Sequence, residues 1–270
     1  MKQPSEKKKN HIGRRILIVV AGILLVLAMI IIGFGLHNGR LMNNSIDAGL
    51  DTLKDYYSVT EVLAGDYETL RLYGIMTFRV KQYEVEGLGN LCVMTTNMGL
   101  MQMATFVLTP YEKDMPMMST DFMYMFGIRK GYVELYNLTE DVESESFQGV
   151  LSALRDTLDD FSDLADCEPG SGWYDYLLTT DAYKRGSAKQ DDRFHELFRS
   201  SVETYAEASA AMEAMTPEAR GVKLGIIRDY CDAMVEKGGI STTIFKKALG
   251  DDVTRDFFEN VFFGPATRAE

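Results

Sequence analysis

At 270 residues the chain has room for one or two domains, and 46% hydrophobic with 25% charged residues is a globular rather than a disordered composition. Asp and Glu outnumber Lys and Arg by 40 to 28, a net charge of −12 that repels a phosphate backbone and argues against general nucleic-acid binding. Three cysteines, Cys92, Cys167 and Cys231, with no C-x-x-C spacing, support neither a disulfide scaffold nor a zinc ribbon.

Residues 1–15 are a basic tail of net +5. Ile16 to Leu36 then runs for 21 residues without a charge, which as a helix spans about 31 Å, the thickness of a bilayer core. That stretch is longer than a signal peptide's, and Gly33-Phe34-Gly35-Leu36-His37 follows in place of a small-x-small site, so an uncleaved signal anchor is expected over 16–36. Lys2, Lys7, Lys8, Lys9, Arg14 and Arg15 precede it and only Arg40 closely follows. The positive-inside rule then keeps the N-terminus cytoplasmic and puts the rest outside, at the cell membrane. Removing the tail's +5 leaves −17 on residues 37–270, so an anionic ligand there needs a local basic pocket.

Residues 37–44 read as a short polar spacer, and 45–270 as one domain. Ser45 caps a helix carrying Ile46, Leu50 and Leu53. Between Glu68 and Leu138 the period becomes two, in short β-branched and aromatic runs separated by Gly, Pro, Asn or Lys, which predicts an antiparallel meander of about five or six strands. Helical periods follow over 147–164, 193–215, 217–237, 242–249 and 251–263, with Thr216-Pro217 a clear helix start. Residues 167–189, which hold Trp173, are expected as an irregular loop or pocket flap. Strands first and helices after is the order of an α+β domain.

No G-x-G-x-x-G, G-x-x-x-x-G-K, G-x-S-x-G or H-E-x-x-H occurs, which removes support from nucleotide, α/β-hydrolase and zincin chemistry. The domain's one histidine, His195, reads as a satisfied helix-face residue, and no metal site is expected from the His and Cys content. Nine methionines fall between Met94 and Met125. Met101 with Met103, or Met123 with Met125, share a strand face, suited either to lining an adaptable apolar pocket or to holding Cu(I).

The run Met115-Pro116-Met117-Met118-Ser119-Thr120-Asp121, after the strand Thr105 to Pro110, resembles the signature of the ferredoxin-dependent bilin reductase family. In that family a strand ends in Pro, a short acidic loop follows, and Leu-Pro-(apolar)-(apolar)-Gly-(Thr/Val)-Asp opens the next strand. Arg228-Asp229-Tyr230-Cys231, Phe245 to Gly250 and Phe257 to Gly264 resemble the closing helices of the same family, and order and spacing agree over 68–264.

The resemblance implies a three-layer α/β/α sandwich with a central antiparallel sheet, here preceded by one transmembrane helix. It implies a linear tetrapyrrole such as biliverdin held between sheet and C-terminal helices. Reduction would draw electrons from an external donor, ferredoxin in the family, and protons from side chains, with no metal or flavin bound. Asp121 takes the signature position and is implied as the catalytic acid, while Met103, Thr105 and Met123 are expected to face the substrate. Arg220, Lys223 and Arg228, within about 140° on one helix, are candidates to clamp its propionates, as are Lys184, Arg185 and Lys189.

The pattern departs at Thr105, where the family has a strand histidine; around Cys92-Val93-Met94, where its glutamate is missing; and at Gly238 to Ser241, where relatives carry Asn-Asp. Ferredoxin is cytoplasmic, whereas the basic tail directs this domain outward. Two functions therefore stand: a membrane-anchored, bilin-reductase-like enzyme with a low-potential donor, or a non-catalytic tetrapyrrole-binding or extracellular interaction domain on the same fold.

Overall fold

No proline interrupts residues 6–54, and in the computed structural model they form one helix, α1 (Glu6–Lys54). The structure describes residues 6–265, leaving aside the side chains of 6–12, 240 and 241, so the start of the basic tail lies outside the described residues. Residues 16–36 of α1 carry no charge and none of the most apolar window is buried, so by length and composition the helix is able to cross a bilayer. In its second half Met42, Ile46, Leu50 and Leu53, three or four residues apart, are buried against the domain. Residues 37–44 are therefore not a spacer. They continue the helix, with Asn38 and Met42 buried.

Among the described residues nine strands make one antiparallel sheet: β1 (Val59–Val62), β2 (Thr69–Leu72), β3 (Met76–Val85), β4 (Gly89–Asn97), β5 (Met101–Pro110), β6 (Met117–Met125), β7 (Ile128–Tyr136), β8 (Ala165–Asp166) and β9 (Leu178–Ser187). Their order is β1-β3-β4-β5-β6-β7-β9-β8, with β2 also paired to β3. The predicted meander is present as β2 to β7. The stretch expected to be irregular contains β9, which pairs with β7 over most of its length.

The helices are α2 (Glu145–Asp159), α3 (Asp191–Ala210), α4 (Pro217–Lys237), α5 (Ile240–Leu249) and α6 (Asp251–Phe257), the last running into a wide turn over 258–262. Thr216 caps α4 by accepting from the Ala219 amide, and Pro217 follows at the first helical position. Strand alternation sorts the side chains. Leu91, Phe106, Leu108, Met118 and Phe122 pack under α1, α2 and α3, while Cys92, Met94, Val107 and Met117 face α4 to α6. The result is an α+β, three-layer α/β/α arrangement with a core on each face of the sheet.

The β2–β3, β4–β5 and β6–β7 turns lie at one end of the sheet, and the last two meet α1 there. A Cβ on Gly35 of α1 would stand 3.0 Å from the Gly99 carbonyl oxygen, so glycine lets helix and hairpin tip approach closely at this crossing. Asn97 Nδ2 donates to the Gly35 carbonyl at 3.1 Å, and Phe34 packs edge-on against Phe126. Buried Asn38 donates to Gln102 at 2.9 Å and accepts from Arg129 Nη2 at 3.0 Å. Arg129 itself is held by Asp191 at the start of α3 and lies over the Tyr124 ring.

Candidate functional site

Between the sheet and α4 to α6 lies a cavity of about 230 Å³. Its floor is the alternate positions of four adjacent strands: Met94 on β4; Met103, Thr105 and Val107 on β5; Met117, Ser119, Asp121 and Met123 on β6; and Lys130, Tyr132, Glu134 and Tyr136 on β7. Tyr183 of β9 closes one side, and Tyr230, Met234, Phe245, Phe257 and Phe262 from the helices form an aromatic roof. Pro169, Gly170, Tyr174 and Asp175 bring in the segment before β9, which Trp173 pins by donating from Nε1 to the Gly238 carbonyl at 2.6 Å. Flat apolar walls with a few converging polar groups are what an extended conjugated ligand fits.

Asp121 opens onto the cavity and is otherwise enclosed by protein. Burial raises its carboxyl pKa, opposed by hydrogen bonds from Thr105 and Ser119. Thr105 Oγ1 donates to Asp121 Oδ1 at 2.5 Å, since the two residues stand opposite each other on β5 and β6. The threonine at the place of the expected histidine thus holds the acid rather than adding a second base.

On the neighbouring strand stands a second acid. Glu134 accepts from the Tyr183 hydroxyl at 2.9 Å on one oxygen and from the Tyr136 hydroxyl at 2.9 Å on the other. Burial, with the Asp121 charge added, pushes its pKa up to about 7, and the two tyrosine bonds only partly offset this. Two buried carboxyls whose pKa values burial raises thus stand on adjacent strands of one cavity floor, Glu134 within reach of neutral pH.

The expected residues Asp121, Thr105, Met103 and Met123 are brought together on this floor. The expected basic clamp is not. Arg220 pairs with Glu112 at 3.1 Å, and Lys223 is buried under the β5–β6 loop, donating to the Met115 carbonyl at 2.6 Å. Burial lowers the Lys223 pKa to about 7, against the pull of Asp114. Arg228 is exposed and does not line the cavity, because the inward face of α4 is occupied by Ile227, Tyr230 and Met234. Lys184 pairs with Asp166 at 2.7 Å. The basic residue among the described lining is Lys130. It and Glu134 were legible only as the alternation Lys130-x-Tyr132-x-Glu134-x-Tyr136, a polar face on a strand that the β-branched content alone does not single out.

His195 has the structural role expected, Nδ1 lying 3.0 Å from Ser45 Oγ of α1. Among the described residues no group of His, Cys, Asp and Glu is placed to hold a metal ion. Met101 faces Met125 and Met103 faces Met123 across β5 and β6, so the methionine pairs form one patch that runs into the cavity.

No family model and no curated protein matches the chain. Among solved structures it is similar to phytochromobilin synthase from tomato, crystallised in complex with biliverdin, with a TM-score of 0.68 and 14% identity over 83% of each chain. At that identity the likeness is one of fold. The chain shares an α+β sandwich with that protein, with one long apolar helix leading into it.

Proposed function

We propose that this is a membrane-anchored domain that binds a linear tetrapyrrole on the strand floor and reduces one of its double bonds. The observation that carries the reading is the pair Asp121 and Glu134 under a cavity walled by methionine and aromatic side chains. Two electrons come from an external low-potential donor, as ferredoxin serves the family the sequence resembles. Two protons come from the two carboxyls, one to each end of the reduced bond. Glu134, with its pKa near 7, populates both protonation states at neutral pH and suits the role of a rechargeable acid. Lys130 supplies a positive charge for a propionate.

One observation favours a binding domain without turnover: the Thr105 hydroxyl donates to Asp121 and so stabilises its ionised form. Anaerobic absorption titration of the full chain in lipid nanodiscs with biliverdin, followed by a low-potential reductant, separates the two. Binding followed by conversion to a reduced-bilin spectrum supports the enzyme. A shifted but persistent biliverdin spectrum supports the binder, and an unshifted one removes both.

A further inference from the structure

We propose that the hairpin tips at the α1 end of the sheet sit in the interfacial layer of the bilayer that α1 crosses, and that the cavity opens onto that layer. The domain would then take an amphipathic ligand from the lipid phase. This rests on reading α1 as a membrane anchor.

The first argument is depth. A Cβ on Gly99, at the β4–β5 tip, would lie 3.2 Å from Ile31 Cγ2, and Phe126, at the β6–β7 tip, packs on Phe34. Ile31 lies five residues before the end of the charge-free run at Leu36, about 7–8 Å along the helix. A tip touching Ile31 is therefore level with the outer part of the apolar segment, and no flexible linker intervenes to lift it away. The Asn97, Asn38 and Arg129 bonds to α1 and to the tips fix that height.

The second is chemistry. Ile75, Met125, Phe126 and Ile128, at or beside these tips, are exposed large apolar residues, with Ile75 at 82%. Arg40 and Lys189 are exposed at the same end, Lys189 directly after Ala188, whose amide donates to the Gly127 carbonyl at 2.8 Å. Apolar tips flanked by cations match a headgroup layer in an otherwise acidic domain.

The third is the shape of the cavity. Along β6 the floor positions pass from Met117 at 2% exposed through Asp121 and Met123, part-exposed, to Met125 at 39%. Along β7 they pass from Tyr136 at 5% to Ile128 at 50%. The floor is sealed under the C-terminal helices and uncovers progressively towards the hairpin tips. Its mouth faces the side on which α1 leaves the domain.

The test uses the full chain in vesicles containing a phospholipid with a diazirine on its acyl chain, irradiated and mapped by mass spectrometry. Labels are expected on Leu36, on the tips at Leu100 and Phe126, and at the cavity mouth on Met101, Met103 and Met123, and not at Tyr56 or Gly87. Biliverdin is expected to remove the labels at Met103 and Met123 and to leave those at the tips. Labels confined to α1 in protein that floats with the vesicles overturn the proposal. Loss of flotation overturns it together with the anchor reading. Mouth labels that biliverdin does not displace uphold the lipid-facing mouth and remove the tetrapyrrole instead.

Discussion

Glu134 has a folded-state pKa of about 7 against an ordinary 4.5. Across that interval the folded chain keeps a proton that the unfolded chain has released, so this group lowers stability as pH rises from about 4.5 to about 7. Glu134→Gln is expected to flatten that decline in a series of melting curves across the interval, and a slope unchanged from the native chain would remove the assignment. If the enzyme reading holds, turnover falls above pH 7 as Glu134 ionises, and Asp121→Asn lowers turnover about 10²–10⁴-fold, the usual worth of a positioned acid, with biliverdin affinity little changed in the same titration. Asp121 was legible in the sequence because a motif points to it. Glu134 carries no motif, and what raises its pKa is burial on the cavity floor beside Asp121, a setting that only the folded sheet brings about.

The elements were most legible where local chemistry and burial agree. The Thr216-Pro217 start set the first residue of α4, and Thr216→Ala is expected to cost about 1 kcal/mol in denaturant unfolding by loss of the cap. Strand β9 was missed because Leu178 to Ser187 buries small or long polar side chains rather than apolar ones. Thr180 and Ala182 are buried, and Lys184 lays its stem on the sheet while its ammonium reaches Asp166. The start of α3 has a heavier duty. Asp191 neutralises Arg129, whose side chain is 1% exposed, so Asp191→Ala leaves a guanidinium buried without its anion. A loss of about 3–5 kcal/mol is expected by urea titration, and a loss below about 1 kcal/mol, the worth of a surface pair, would mean the charge finds water.

For the molecule as a whole, the α+β class followed from the order of strands and helices and the three layers from the family resemblance, whereas the joint between the apolar helix and the domain followed from neither. The polar residues of 37–44 suggested solvent, yet Asn38 is 0% exposed because it bridges Gln102 and Arg129. Hydrogen-bonded burial of this kind leaves no trace in hydropathy. A chain beginning at residue 45 loses Asn38 and Met42 and opens the sheet end. It is expected to melt lower than one beginning at residue 37, by about 1–3 kcal/mol for the stranded polar groups alone. Equal melting temperatures for the two truncations would show that the joint adds nothing to the fold.

Because α1 is a single helix, its length sets a phase as well as a distance. One residue inserted between Leu36 and Met42 would turn everything before it by about 100° and shift it by about 1.5 Å relative to the domain. Gly35 would rotate away from Gly99 while Met42, Ile46 and Leu50 kept their places under the sheet. A deletion there would do the same in the opposite sense, and four added residues would nearly restore the angle while moving the tips about 6 Å along the axis of the apolar segment. Changes of length in this stretch should therefore act periodically, with the number of residues modulo a helical turn deciding whether the sheet still meets the apolar part of α1.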